Sequence, residues 1–264
     1  MFGWLAARRR KKIIASAFPP EWEETLRQNV FFYPLLDESE RLRLREMIQI
    51  FIAEKNWEGC GGLDLTDEMR VTIAAMACRL ILCLPHNYYE NVETILVYPT
   101  ELALPERKIG FFETVLEPIE PSGPISGQAF EQGPLILVWE AIEQGLRTPG
   151  SGYNVVYHEF AHKLDMQDGR TDGTPPLSGS EASDWISAFS REYSRLLSEV
   201  QKGKDTFLDE YGATDEVEFF AVATEHFFDQ PRETKRHAPQ LYRLLKQYYR
   251  QDPARQKTDG KGKT

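Results

Sequence analysis

The spacing of apolar side chains predicts two helices in the first third of the chain. Residues 39–54 place apolar side chains on one face of a helix, and these are Leu42, Leu44, Met47, Ile48, Phe51 and Ile52. A second helix is predicted to begin after Thr66, a suitable N-terminal cap, and to end at about Leu84, before Pro85. The first part of the chain is therefore expected to be helical.

Short apolar runs predict a small sheet beside these helices. Residues 95–98 form one candidate strand. Residues 134–139 form another, either a buried core strand or a strand near an edge where a peptide could bind, and residues 125–130 are its candidate neighbour. Further helices are predicted over residues 181–201 and 239–250. Together these elements predict a mainly helical α+β protein.

The most informative segment is His-Glu-Phe-Ala-His at residues 158–162. On a helix, His158 and His162 lie one turn apart on the same face, where they can bind one metal ion, and Glu159 lies between them. This is the arrangement of zinc peptidases, in which the glutamate is the general base. The alternative is a surface helix with two solvated histidines.

The flanking residues favour a helix around this motif. Ser151 is the predicted N-terminal cap after a glycine- and proline-rich entry, and Gly169 is expected to end the last turn. A catalytic zinc ion normally has three protein ligands and one open position, so two histidines are not sufficient. A third ligand must come from elsewhere in the chain.

Two of the three possible sources of that ligand have weaker support. Asp168 lies six residues after His162, but Asp165 stands where extended motifs of this kind need a glycine. His86 and His237 are more distant candidates, and both are typical of ordinary surface or loop residues.

The third source is the segment 211–229, which predicts a buried helix capped by Thr214. Its apolar residues surround the helix nearly completely, and a buried carboxylate is costly unless it is paired or binds a metal. Glu218 and Glu225 lie seven residues apart on one face, as expected for a ligand and a supporting partner. The alternative is that Glu218 lies in an exposed first turn, and we favour the ligand.

These segments resemble the Mlc titration factor A family of bacterial zinc metallopeptidases. The resemblance rests on residues 158–173, on Glu-Phe-Phe-Ala at 218–221 and on residues 57–75, and it extends over roughly residues 20–250. It implies a zincin-like catalytic part that binds one zinc ion per chain.

The catalytic half is also similar to the zinc domain of anthrax lethal factor, in which a tyrosine precedes the glutamate ligand by seven residues. By that similarity His158, His162 and Glu218 are zinc ligands, Glu159 is the base and Tyr211 is the oxyanion donor. The chain differs from lethal factor at Val222, where that protein has an acidic residue. Glu225 is the candidate for the same supporting role, and Asp165 is a second candidate for contacting a ligand histidine.

Composition restricts the possible partners and the compartment. The net charge of −10 argues against a general nucleic-acid-binding protein. Three cysteines without a CxxC pair suit a reducing cytoplasm, and no apolar run is long enough to cross a bilayer. We expect a cytoplasmic monomer that acts on peptides.

The expected organisation has four segments. Residues 1–19 are predicted to be a flexible basic arm, and residues 20–90 a helical N-terminal part. Residues 91–250 are predicted to be the zincin-like catalytic part, followed by a disordered tail at 251–264.

Three functional hypotheses follow. The family resemblance implies an aminopeptidase-type enzyme that also binds the glucose-responsive transcriptional repressor Mlc and so regulates expression of the phosphotransferase system for glucose uptake. The second hypothesis is a binding protein that sequesters a regulator, with secondary peptidase activity. The third is a structural zinc site closed by Asp168 or His226.

Overall fold

The computed structural model describes residues 2–100, 127–129, 133–177 and 180–255. The helices in these ranges are α1 Phe2–Ile14, α2 Pro20–Asn29, α3 Glu38–Glu54, α4 Asp67–Ile81, α5 Trp139–Arg147, α6 Val155–Asp165, α7 Ser180–Gln201, α8 Glu216–Asp229, α9 Pro231–His237 and α10 Pro239–Tyr249. The strands are β1 Asn56–Gly59, β2 Thr94–Tyr98, β3 Gly127–Ala129 and β4 Leu135–Val138. The mainly helical α+β class is confirmed.

The four strands form one sheet in the order β1-β2-β4-β3. The pairs β1–β2 and β2–β4 are parallel, whereas β3 runs antiparallel to β4. The strands predicted at 95–98 and 134–139 are confirmed. Of the predicted strand 125–130, residues 127–129 are β3, and the remainder lies outside the described residues.

The helix α6 lies at the centre of the molecule. It packs against α8 on one side and α4 on another, and it also contacts β3 and β4. The helix α4 is buried along almost its whole length, from Val71 to Ile81. Every residue of α6 except His158 is therefore buried, and α6 holds its side chains in fixed surroundings.

The N-terminal segment differs from the prediction of a flexible arm. Residues Phe2–Ile14 form α1, which packs on α3. The Arg10 guanidinium donates two hydrogen bonds to the Glu54 carboxylate, at 2.9 and 2.8 Å, and Arg9 donates to the carbonyl of Ala53 at 3.1 Å. These ion-pair and backbone contacts hold α1 against α3. The basic composition of the segment alone did not indicate this packing.

The start of the predicted tail is also ordered. Gln251 is buried and donates a hydrogen bond to the carbonyl of Arg79 at 2.9 Å, and Arg255 binds Glu40 at 2.7 Å. The prediction for residues 256–264 lies outside the described residues. The strand β1, from the predicted N-terminal part, pairs with β2, from the predicted catalytic part, in one sheet. The division of the chain at residue 90 stays a prediction.

Candidate metal centre

The motif helix α6 is capped by Asn154 and not by Ser151 as predicted. The Asn154 side chain accepts a hydrogen bond from the backbone N–H of Tyr157 at 3.0 Å. Between the two positions Gly152 has a φ of +87°, so the chain is still turning there and the helix begins later. An added Cβ at Gly152 would lie 2.6 Å from the His226 ring, which makes the turn a tight fit.

The second helix of the site, α8, is capped by Asp215 and not by Thr214. The Asp215 carboxylate accepts a hydrogen bond from the backbone N–H of Glu218 at 2.8 Å. Thr214 belongs instead to the end of a short 3-10 turn, Glu210–Ala213. This cap fixes the first turn of α8, where Glu218 lies, against α6.

The structure brings three potential ligands together. Glu218 Oε2 lies 2.9 Å from His158 Nε2 and 3.5 Å from His162 Nε2. One ligand atom from each of these residues lies within 4.8 Å of the other two. Although burial opposes the change, hydrogen bonds with both histidines lower the pKa of Glu218, so it is a carboxylate at neutral pH.

Glu225 supports this cluster from the next turns of α8. Its Oε1 lies 2.8 Å from His158 Nδ1, and its Oε2 accepts a hydrogen bond of 2.5 Å from the backbone N–H of Asn154. Burial lowers the pKa of His158, but the hydrogen bonds to Glu218 and Glu225 outweigh burial and raise it well above its ordinary value. Glu225 thus contacts His158 directly, as its predicted supporting role requires.

Glu159 is buried within the same helix, with 4% of its surface exposed. Its Oε2 has no hydrogen-bond partner among the described residues, and the same is true of His162 Nδ1. Burial raises the pKa of Glu159, and the two histidine rings oppose this rise. Two imidazoles, one carboxylate and a nearby unpaired carboxylate oxygen form a donor set that fits a catalytic zinc ion.

Tyr211 lies beside this cluster on the 3-10 turn before α8. Its ring centroid is 5.9 Å from that of His158, and 49% of the residue is exposed. Burial and then the negative charge of Glu218 raise the pKa of its hydroxyl. The hydroxyl therefore stays protonated and can donate a hydrogen bond.

The other proposed ligands lie outside the cluster. Asp168 accepts a hydrogen bond from the backbone N–H of Arg170 in an exposed turn, and His226 Nδ1 lies 3.0 Å from the carbonyl of Val222. His237 stacks on Phe207, and His86 lies edge-on to Tyr88. None of these four belongs to the group of possible ligands found among the described residues.

Asp165 does not contact a ligand histidine as predicted. Its Oδ2 accepts a hydrogen bond from the backbone N–H of Gly173 at 3.0 Å. Gly173 has a φ of +72°, and an added Cβ there would lie 2.2 Å from the carbonyl of Glu216. Asp165 therefore positions the loop that lies against the start of α8.

Sequence reasoning missed one anchoring residue, Asp229. Its Oδ2 accepts a hydrogen bond of 2.7 Å from the backbone N–H of Gly152, in the loop before α6. Glu218, Glu225 and Asp229 follow one another at helical spacing on α8. That spacing was the available signal, because three acidic residues on one face of an apolar helix need partners.

Comparison with known proteins agrees with this geometry. Residues 4–250 match the family described as glucose-regulated metallo-peptidase M90. A protein of Synechocystis sp. is 39% identical over 248 residues, covering 93% of this chain and 89% of the relative. Mlc titration factor A of Serratia proteamaculans is 32% identical, covering 86% of this chain and 87% of its own length, and that of Yersinia pestis is 28% identical, covering 95% and 89%. The chain belongs to the glucose-regulated metallo-peptidase M90 family.

Proposed function

We propose that this protein is a zinc-dependent metallopeptidase with a zincin-like catalytic part. The observation that carries the proposal is the convergence of one ligand atom each from His158, His162 and Glu218 within 4.8 Å, next to buried Glu159. These three residues would hold the zinc ion, and membership of a metallopeptidase family supports this assignment. When bound, zinc supplies Lewis acidity, which polarises a carbonyl group and makes hydroxide available near neutral pH.

The side chains around the metal supply the proton transfers. Glu159 has an unpaired oxygen and a raised pKa, so it would accept a proton from the attacking water and pass it to the leaving amine. The Tyr211 hydroxyl remains protonated and would donate a hydrogen bond to the carbonyl oxygen as negative charge develops there. Glu225 would keep His158 in the tautomer and orientation that a ligand needs.

The substrate would bind as an extended peptide beside the sheet. In the described part of the chain β3 is the last strand of the sheet, and it contacts α6. A peptide added next to β3 would therefore pass close to the motif helix. The expected activity is that of an aminopeptidase.

The first test measures zinc in the purified protein and in three variants. Glu218→Ala should lose the metal, because one of its three protein ligands is removed. Glu216→Ala is the matched control, since Glu216 is exposed in the same first turn of α8, and it should retain one zinc per chain. Asp168→Ala should also retain it. A metal lost from Asp168→Ala and kept in Glu218→Ala would refute the ligand set.

The second test separates the base from the metal ligands. Glu159→Gln should keep its zinc and lose hydrolysis of peptides by a factor of about 10²–10⁴. The measurement is kcat/KM with a set of peptides that have free or blocked amino termini, which also tests the aminopeptidase assignment. Unchanged hydrolysis by zinc-loaded Glu159→Gln would remove Glu159 from the mechanism.

A second candidate function is binding of a regulatory protein. The relatives from Serratia proteamaculans and Yersinia pestis carry the name Mlc titration factor A, which supports binding of an Mlc-type repressor by this chain and a role in glucose-uptake regulation. On this proposal the protein is a cytoplasmic monomer that meets the repressor in solution. Among the described residues no helix is long and apolar enough to cross a membrane.

Glu159→Gln distinguishes the two candidates. Pull-down of purified Mlc by zinc-loaded Glu159→Gln, with hydrolysis abolished, would show that binding and catalysis are separate activities. If Glu159→Gln loses hydrolysis and neither it nor the wild type binds Mlc, peptidase activity is the only function of the two that is supported. Mlc binding by a wild-type protein that cleaves no peptide would favour the sequestering function.

A further inference from the structure

A cavity of about 620 Å³ lies at the end of α8, away from the candidate metal ligands. It is half open to solvent and is bordered by the loop after α2, the junction of α8 and α9, and residues 251–255. Its lining includes the aromatic rings of Phe32 and Phe228 and excludes the five residues assigned to the catalytic site. The size and the apolar walls suit a small organic molecule.

One wall of this cavity carries a buried cation, Arg79 of α4. Only 8% of Arg79 is exposed. Its guanidinium carbon lies 5.0 Å from the ring centroid of Phe32 and 5.7 Å from that of Phe228. Burial lowers the pKa of this guanidinium, and within the described ranges no carboxylate or carbonyl accepts a hydrogen bond from it. The two rings attract the cation, but an aromatic face does not replace hydrogen-bond acceptors for its N–H groups.

Two buried polar groups near Arg79 lack hydrogen-bond partners in the described part of the chain. Gln251 donates from Nε2 to the carbonyls of Arg79 and Leu80, at 2.9 and 3.4 Å, while its Oε1 is buried and unpaired. The hydroxyl of Tyr157, whose ring packs 5.4 Å from that of Phe228, is likewise buried and unpaired. Buried polar groups are normally hydrogen-bonded, so several unpaired ones together indicate a missing ligand or water.

Three of the four acidic residues that line the cavity have a cationic partner of their own, namely Arg255 for Glu40, Lys246 for Asp252 and Arg236 for Glu233. The fourth, Asp229, accepts a hydrogen bond from the backbone N–H of Gly152, which does not neutralise its carboxylate. Arg79 and Arg232 also line the cavity and form no ion pair within the described residues, so two unpaired positive charges face one unpaired negative charge there.

We infer that this cavity is a binding site for a small organic anion, whose carboxylate or phosphate group pairs with Arg79. The planar guanidinium presents paired donors that match either group. Phe32 and Phe228 would contact the body of the ligand, and Gln251 Oε1 would accept a hydrogen bond from a ligand hydroxyl or amine. This site does not depend on the proposed peptidase function.

The test is the shift in melting temperature of the full chain with benzoate, phenyl phosphate or inorganic phosphate, each compared with chloride at equal ionic strength. At ten times the dissociation constant, a bound anion should raise the melting temperature by about 3 °C. Benzoate and phenyl phosphate distinguish a carboxylate from a phosphate ligand. Inorganic phosphate shows whether the apolar body contributes.

Arg79→Met is the decisive variant. It should abolish the shift, and in chloride it should melt at or above the temperature of the wild type, because it removes an unpaired buried charge. Arg27→Gln, at an exposed arginine on α2, is the control and should keep the full shift. If Arg79→Met does not fold, Arg79→Lys should weaken anion binding at least tenfold, since lysine cannot form the paired contact.

Two results would overturn the inference. One is that none of the three probes shifts the melting temperature of the wild type beyond the value in chloride at equal ionic strength. The other is a shift of equal size in the wild type and in the Arg79 variants. Repeating the titration with Glu159→Gln separates this outcome from a failure of the peptidase proposal, because anion binding does not require that residue.

Discussion

The two sides of α6 hold opposite kinds of buried polar group. His158 faces carboxylates of α8, whose oxygens are already engaged by histidine rings and backbone N–H groups. Tyr157, the neighbouring residue, lies near Arg79, a cation without an acceptor in the described ranges. In the two proposals made above, the first side would bind a cation and the second would bind an anion. Burial of polar groups marks both sites, and the sign of the charge distinguishes what each would bind.

The largest effect on this contrast is expected from Glu225→Ala. It removes the acceptor for the buried N–H of Asn154 and for His158, so the free energy of unfolding should fall by about 3 kcal/mol. Zinc affinity should fall by a factor of about 10–100. Chemical denaturation and a competitive metal titration measure the two quantities.

Glu225→Gln sharpens this test, because it keeps the shape of the side chain. A single amide oxygen can serve one of the two donors, so the loss of stability should be intermediate. Equal stability of Glu225→Ala and the wild type would mean that the carboxylate does not hold α8 to α6.

A smaller effect is expected from Gly152→Ala, which alters the loop before α6. The added Cβ would meet the His226 ring at 2.6 Å on a backbone with a φ of +87°. The free energy of unfolding should fall by about 2 kcal/mol. Gly150→Ala is the matched control, because its φ is +83° but nothing lies within 4 Å of an added Cβ. Equal losses in the two variants, measured by urea denaturation, would show that the His226 contact is unimportant.

The smallest effect concerns the pH dependence from Asp165. Burial raises the pKa of its carboxyl from 3.8 to about 6, so between these values the folded chain binds a proton that the unfolded chain has released. Its contribution to stability is therefore present below pH 4 and is lost as the pH rises through 6. From about pH 5.3 to about pH 7.5 the wild type should lose about 1 kcal/mol relative to Asp165→Asn. Both chains are measured by denaturation after chelation, and a constant difference would contradict the assignment.

Periodicity predicted most of the long elements. The expected helices at 39–54, 181–201 and 239–250 agree with α3, α7 and α10 to within one residue, because each has a clear apolar face. The strand β1 at Asn56–Gly59 was not predicted, because its four residues contain no apolar run. Its place in the sheet is set by pairing with β2, which is a tertiary contact.

The candidate site was accessible from the sequence because its chemistry follows local spacing. One helical turn separates His158 from His162, and two turns separate Glu218 from Glu225. The helix caps were misplaced by one to three residues, since the side chains of Ser151 and Thr214 suit a cap but their backbone is still in the preceding turn. The Arg79 cavity could not be predicted from the sequence, because its lining comes from several segments that are distant along the chain.

The contacts between α6 and α8 also affect when the site can exist during synthesis. Four of the hydrogen bonds that Glu218, Glu225 and Asp229 make with α6 and its preceding loop join positions 60 to 77 residues apart. A growing chain that ends before α8 contains both histidines but lacks their carboxylate partners. If the proposed function holds, hydrolysis can begin only after α8 has been made and has packed, so an incomplete chain cannot cleave itself or its neighbours.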